Sequence, residues 1–141
     1  MLIDEGLELL TEEQCRALLP TEAIGRIGVT IGALPAIFPV NYQMVGQDIV
    51  FRTGTATNLR AAVEGGVVGF EVDHVDPSAH EGWSVLVVGV ARRLTDGERA
   101  ELGDLGLSPW AGPDRANMVR IHPEMTSGRR IAKKGHRPLP A

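Results

Sequence analysis

With 141 residues, 43% of them apolar and 23% charged, the chain has the length and composition of one globular domain with a single core. A formal charge of −4 leaves no broad cationic stripe, so no nucleic-acid partner is expected; the positive charge gathers near the C-terminus in Arg129, Arg130, Lys133, Lys134 and Arg137, as a solvated end. Cys15 is the only cysteine and no apolar run approaches the ~18 residues that cross a bilayer, so a reducing, cytoplasmic setting without a membrane partner is expected.

Thr11 followed by Gln14 has the spacing of a capping box, which predicts a short helix running to about Leu19 before Pro20 discourages it. Leu9, Leu10, Cys15, Leu18 and Leu19 give it an apolar side, where Cys15 reads as a small buried residue rather than a nucleophile. From Ile24 the period changes to two. Ile27, Val29 and Ile31 alternate with Gly28 and Thr30, as on a half-buried strand. Gly32 and Ala33 make a turn into a second strand over 36–45, where Pro39 belongs at an edge or a bulge because it donates no ladder hydrogen bond. Gly46, Gln47 and Asp48 turn the chain into a third strand over 49–53.

Thr53, Thr55 and Thr57 then occupy alternate positions, which in an extended turn can aim up to three hydroxyls at one place. A helix predicted over 58–64 offers its unpaired N–H groups and positive dipole end nearby, as a phosphate-like anion requires. The same residues also fit Thr57 as an ordinary N-cap, and threonine as a common strand and turn residue.

After Gly65 and Gly66 a fourth strand covers 67–75. Residues 83–94 form the longest strand candidate, apolar on both faces over 85–88, and so belong in the middle of a sheet or against a second chain. A helix over 95–105 is capped by Thr95 or Asp96, and a Pro/Gly loop surrounds Trp110. Residues 118–121 and 125–131 read as a last pair of strands, and the tail from Ala132 is expected to be disordered. Hairpin-length turns predominate, so residues 1–131 are expected to form one mainly β domain, antiparallel and closed into a small barrel, with an N-terminal helix.

Five segments in this order carry a resemblance: IFPVNY (37–42), IVFRTGTATN (49–58), FEVDHVDP (70–77), GWSVLVVGVARRL (82–94) and SGRRI (127–131). Together they resemble the FMN-binding split β-barrel superfamily of pyridoxamine 5′-phosphate oxidase-like proteins, over about residues 10–131. The resemblance implies a homodimer that holds FMN between its subunits. It implies that Val40 and Asn41 lie along the isoalloxazine ring, partly through backbone groups. Arg52 and Thr53 would bracket the ring and ribityl chain, and Thr57 would reach the phosphate. Trp83 and Ser84 would approach from the other subunit, and Arg129 would help neutralise the phosphate.

One position departs from the pattern. Relatives commonly carry lysine or arginine where this chain has Asn58, and an amide supplies no charge, whereas charge-assisted bonds are roughly twice as strong as neutral ones. Arg60, two residues along a helix, lies on the wrong side to replace it. The expectation is weaker FMN binding than in a lysine-bearing relative, or a different cofactor such as a deazaflavin.

Glu71, Asp73, His74, Asp76, His80 and Glu81 cluster within a short stretch, but strand alternation splits them between two faces, so a solvated charged loop is expected and no metal. No nucleophile elbow, phosphate loop or dinucleotide fingerprint is present, and no catalytic side chain can be named. Trp83 and Trp110 read as core or interface anchors unless the resemblance gives Trp83 a further role. Oxidising pyridoxamine phosphate needs a second phosphate site, for which only Arg129 and Arg130 are on offer. The function implied is a flavin-dependent oxidoreductase acting on another small molecule. The alternatives are a deazaflavin-dependent reductase on the same fold, or a flavin- or haem-carrying module without turnover.

Overall fold

The computed structural model describes residues 2–4, 7–52, 66–102 and 118–131. The expectations for Thr53, Thr55, Thr57, Asn58 and the helix after them, for the loop at Trp110 and for the tail from Ala132 all lie outside these residues.

Two short strands, β1 (Leu2–Asp4) and β2 (Leu7–Leu9), precede helix α1 (Glu12–Leu18), which tightens into a single 3-10 turn at Leu19–Thr21. Then come β3 (Ile24–Ile31), β4 (Leu34–Val45), β5 (Asp48–Arg52), β6 (Val67–Asp76), β7 (Glu81–Arg93), α2 (Asp96–Leu102) and β8 (Met118–Ile131). Both helices start on reciprocal caps. The Gln14 N–H donates to Thr11 Oγ1 at 3.1 Å while the Thr11 N–H donates to Gln14 Oε1 at 2.8 Å. Thr95 and Glu98 repeat the arrangement at 3.1 and 3.0 Å, so Thr95 is the cap of α2.

The strands are antiparallel throughout. Around the barrel the order is β8, β5, β4, β3, β6 and β7, and β7 pairs again with β8 to close the ring, which removes the exposed edges of an open sheet. Gly32 and Ala33 both have positive φ, 54° and 67°, as a two-residue hairpin turn needs. That tight turn lets the ladder resume at once with Ile31 opposite Leu34, so β4 begins two residues before the 36–45 read from the sequence.

Pro39 sits where its missing donor does no harm. The Tyr42 N–H points to β3, donating to the Ala23 carbonyl at 3.1 Å, so by alternation the nitrogen of Pro39 faces the other side, where pairing with β5 stops at Tyr42. The expected final pair of strands is instead one strand. β8 runs unbroken through Pro123 because it bulges there against β7: Val88 faces Met125, Gly89 faces Pro123, and Glu124 is the extra residue. At 14 residues β8 is also longer than the 13-residue β7; β7 lies between two neighbours, with Val85 and Val87 buried in the core and Leu86 and Val90 exposed on the outer face.

The barrel is filled by alternate residues of every strand, among them Ile27, Val40, Phe51, Phe70, Val85 and Ile121. Tyr42 stands edge-on to Phe70 with ring centroids 4.9 Å apart, and its phenol donates to the Leu19 carbonyl, tying β4 to the end of α1. A second, smaller cluster of Val50, Leu94 and Met118 lies outside the wall, packed with Leu102 of α2. Among the described residues no helix is long and apolar enough to cross a membrane.

Candidate functional site

The described residues singled out by the sequence fall into two groups. Val40, Asn41 and Arg52 lie on β4 and β5, and Trp83, Ser84 and Arg129 on β7 and β8. In the closed ring, β4 and β7 are three strands apart in either direction, so they form opposite walls with the core between them. Thr53, Thr57 and Asn58 lie outside the described residues.

On the first wall, Val40 is buried in the main core, which leaves only its backbone for a ligand. Asn41 points the other way, opposite Ile24. One register step past the Tyr42–Phe51 pair, Asn41 comes opposite Arg52 at the last described position of β5. The Arg52 Nε is buried and has no hydrogen-bond partner among the described residues. An unmet donor on a charged group is costly, on the order of 1–3 kcal/mol or more. A ligand acceptor at this corner would satisfy it.

On the second wall, Ser84 is flanked by Asp73 of β6 on one side and Arg129 of β8 on the other. With Trp83, Val75 and Ile131 they line a cavity of about 210 Å³. Trp83 is half-buried and packs against the main core, which fixes one side of the cavity. Arg129 is exposed and has no ion-pair partner among the described residues, so its charge is available to an anion. The neighbouring Arg130 is committed more loosely, 4.0 Å from Glu8.

Through Asp73 the cavity borders an ion-pair cluster that includes Arg26, a residue not singled out from the sequence. Arg26 Nη1 lies 3.4 Å from Glu71 Oε1 and 3.5 Å from Asp73 Oδ2, so a single guanidinium serves two carboxylates on one face of β6. Burial and the adjacent Asp73 push the Glu71 carboxyl up to about 7, against the opposing pull of Arg26. The signal was present in the alternation, which places Glu71 and Asp73 on one face, but Arg26 joins them only through the β3–β6 pairing. The rest of that acidic stretch is spread out: His74 Nδ1 lies 3.4 Å from Glu22, and Asp76 Oδ1 accepts from the N–H groups of Ser78 and Ala79.

A denser polar network lies at α2. Arg120 donates to Asp48 at 2.5 Å and to Glu98 at 2.9 Å, Arg92 donates to both Glu98 oxygens, and His122 Nδ1 lies 2.8 Å from Asp48. Hydrogen bonds from Arg92 and the Thr95 backbone hold the Glu98 carboxyl well below the usual carboxylate range. With its carboxylates matched by guanidinium groups, the network clamps α2 to β5, β7 and β8.

The family described as pyridoxamine 5′-phosphate oxidase matches residues 11–130 of the chain. The uncharacterised protein Rv0080 of Mycobacterium tuberculosis is 35% identical over 139 residues, which is 95% of this chain and 91% of that protein. Among solved structures, the FAD binding protein from Mycobacterium smegmatis is 32% identical with a TM-score of 0.69, over 88% of this chain and 97% of that one. A putative pyridoxamine 5′-phosphate oxidase from Corynebacterium glutamicum is 29% identical with a TM-score of 0.74, over 92% and 97%.

Proposed function

The chain belongs to the pyridoxamine 5′-phosphate oxidase family, and from that premise we propose that it is a cytoplasmic homodimer binding FMN between its subunits as a flavin-dependent oxidoreductase on a small molecule. The observation that carries this reading is the buried Arg52 Nε at the end of β5, which has no hydrogen-bond partner among the described residues. A planar ligand rich in acceptors and ending in a phosphate has use for both groups, this donor and the charge of Arg129, which a second copy would bring to one cleft.

When bound, the isoalloxazine supplies the redox chemistry, while the protein supplies binding, orientation and electrostatics. Arg52 donates to a ligand acceptor and holds it at the end of β5. Ser84 adds a hydroxyl, Arg129 neutralises the phosphate, and Trp83 keeps water from one flank. No side chain is assigned as an acid or base. Pyridoxamine phosphate is disfavoured as substrate, because Arg130 already lies near Glu8 and no further basic set lines the cavity among the described residues.

A second reading takes FAD in place of FMN, favoured by the 32% identical FAD binding protein of M. smegmatis. FAD carries the same ring and ribityl phosphate, so the same residues serve. The test is the visible spectrum of freshly purified protein, followed by titration with FMN, FAD and a deazaflavin. An oxidised-flavin spectrum, with the extracted cofactor identified by chromatography, is the expected result. Colourless protein that takes up none of the three overturns the reading. Anaerobic reduction by NADH or NADPH followed by acceptor screening then separates an enzyme from a carrier.

A further inference from the structure

His122 stands in a charged cluster on the outer face of the barrel, and the register places it there. Arg120 and His122 alternate with the buried Val119 and Ile121 on β8, so both lie on the outer side. On one flank β7 sets Arg92 opposite Arg120 and Val90 opposite His122. On the other flank Ile49 of β5 faces Ile121, which brings Asp48 level with His122. β5 begins at Asp48 and β8 bulges at Glu124, so the row of His122 is the last before the ladder between them opens. Asp48, Val90, Arg92, Arg120 and His122 line a cavity of about 270 Å³.

The clamp on α2 accounts for Arg92, Arg120, Asp48 and Glu98, but not for His122. Its side chain is 64% exposed, and its one hydrogen bond among the described residues is to Asp48, at 2.8 Å. A carboxylate only accepts, so the bond comes from Nδ1–H and leaves Nε2 as the free nitrogen of the ring. Donors also outnumber acceptors in the cluster. Every carboxylate oxygen of Asp48 and Glu98 already accepts a hydrogen bond. Each guanidinium has five N–H donors, of which Arg92 uses three and Arg120 two among the described residues.

We propose that this cavity binds a tetrahedral oxyanion, a phosphoryl or sulfuryl group, through His122 and the unspent N–H groups of Arg92 and Arg120. Arg92 and Arg120 stand side by side on neighbouring strands, and His122 follows Arg120 on the same face of β8. The donors therefore form a triangle, which three oxygens of a tetrahedral anion meet and the two of a planar carboxylate do not. Asp48 and Glu98 offset the charges of the two arginines, so the cluster is neutral until His122 takes up a proton. With Nδ1 committed to Asp48, the ring donates from Nε2 only as imidazolium. Anion binding is thus coupled to proton uptake, and affinity falls as pH rises. The charged groups around the ring are Asp48 from β5, Arg92 from β7 and Arg120 from its own strand, with Glu98 of α2 on the guanidinium groups. The cavity lies at the opposite end of β7 and β8 from Ser84 and Arg129, and it stands whether or not the chain carries a flavin.

The experiment is heteronuclear NMR of the full chain, titrated with sodium sulfate against sodium chloride at equal ionic strength. The His122 ring is assigned by its loss in His122→Gln, and sulfate keeps its charge between pH 5.5 and pH 8. Saturable shifts at His122 and at the amides of Val90 and Arg92 are expected, with a dissociation constant that rises at least about tenfold across that range. By linkage, the titration midpoint of the ring should move up by about one pH unit in saturating sulfate. His122→Gln should weaken binding at pH 5.5 at least about tenfold, followed on the same amides, and should leave the urea midpoint unchanged. If that variant does not fold, the midpoint shift in wild type carries the test. Competition by glycerol 2-phosphate and inorganic phosphate together makes the ligand a phosphoester, and competition by inorganic phosphate alone makes it the free ion; either upholds the site. Absence of saturable shifts, a ring midpoint that ignores sulfate, or binding unaltered in folded His122→Gln overturns it. Displacement of sulfate by FMN also overturns it, by assigning the anion to the flavin phosphate. Flavin uptake itself is read from the visible spectrum, so failure of one reading leaves the other standing.

Discussion

A Cβ placed on Gly128 would stand 2.6 Å from the sulfur of Cys15. Helix α1 thus docks on β8 through the absence of a side chain, and the same missing atom keeps clear of Leu10 Cδ1 and the Ser84 carbonyl, each at 3.0 Å. The cysteine is small and buried for packing, and burial pushes its thiol up, away from the thiolate form. Because Ser84 belongs to the second half-site, the seat of α1 and the shape of that half-site depend on one glycine.

Gly128→Ala should therefore cost about 1–3 kcal/mol of folding stability through overpacking, read from urea denaturation. Part of the loss should return in a Cys15→Ala background, where the sulfur is gone. An identical loss in both backgrounds would show that α1 is not the obstacle.

Tyr42 is the only tyrosine, so tyrosinate absorbance reports it alone. Burial, helped by the charge of Glu22, pushes its phenol up to about 12. A folded pKa raised above the unfolded value adds stability that is complete below pH ~10 and is lost as pH rises toward the folded value. Absorbance titration should give a midpoint near 12 in the folded protein and near ~10 in denaturant. Tyr42→Phe leaves the Leu19 carbonyl without its donor and should cost about 1–3 kcal/mol, measured by the same denaturation.

Glu71, held protonated up to about 7, has the same sign at lower pH. Its contribution to the stability of a single copy is complete below the ordinary carboxylate value and is lost as pH rises through about 7. The charged groups facing it are Arg26 from β3 and Asp73 from its own strand; Leu86, opposite on β7, is apolar. Denaturant midpoints should therefore fall from pH 5 to pH 8. Adding Glu71→Gln should flatten that slope. An unchanged slope would place the proton elsewhere.

Replacing Arg52 by methionine removes the orphaned donor and keeps much of the aliphatic stem. FMN binding should weaken by about 10- to 100-fold, the scale of one hydrogen bond to a charged group, as read by fluorescence quenching of titrated FMN. Asn58→Lys should act oppositely and tighten binding if the phosphate sits at the turn after Arg52, whereas Thr57→Ala with Asn58→Ala should lose about 1–3 kcal/mol. No response to these changes would put the ligand at another corner.

Much of the fold was legible in local pattern. Thr11 with Gln14 announced α1, the alternation of Ile27, Val29 and Ile31 announced β3, and the doubly apolar run of β7 placed it between neighbours, because caps and period-two burial are properties of a few adjacent residues. Pro123 misled for the converse reason. Whether a proline ends a strand depends on whether the ladder can resume beyond it, and β8 manages this with a bulge at Glu124 against β7. The chemistry at 40–41, 52, 83–84 and 129 was likewise visible as residue types in order, without any indication of which could meet.

That question belongs to the closed ring. Residue order settled most of the barrel strands and which side of each is apolar, since those follow from backbone geometry within one segment; the short strands at 2–4 and 7–9 and the continuity of β8 were not legible there. Closure settled that Asn41 on β4 and Ser84 on β7 stand three strands apart, that Arg26 serves two carboxylates, and that two glycines meet on the outer face. Each of these depends on pairing between segments dozens of residues apart, and register between distant strands is fixed only when the whole core packs at once.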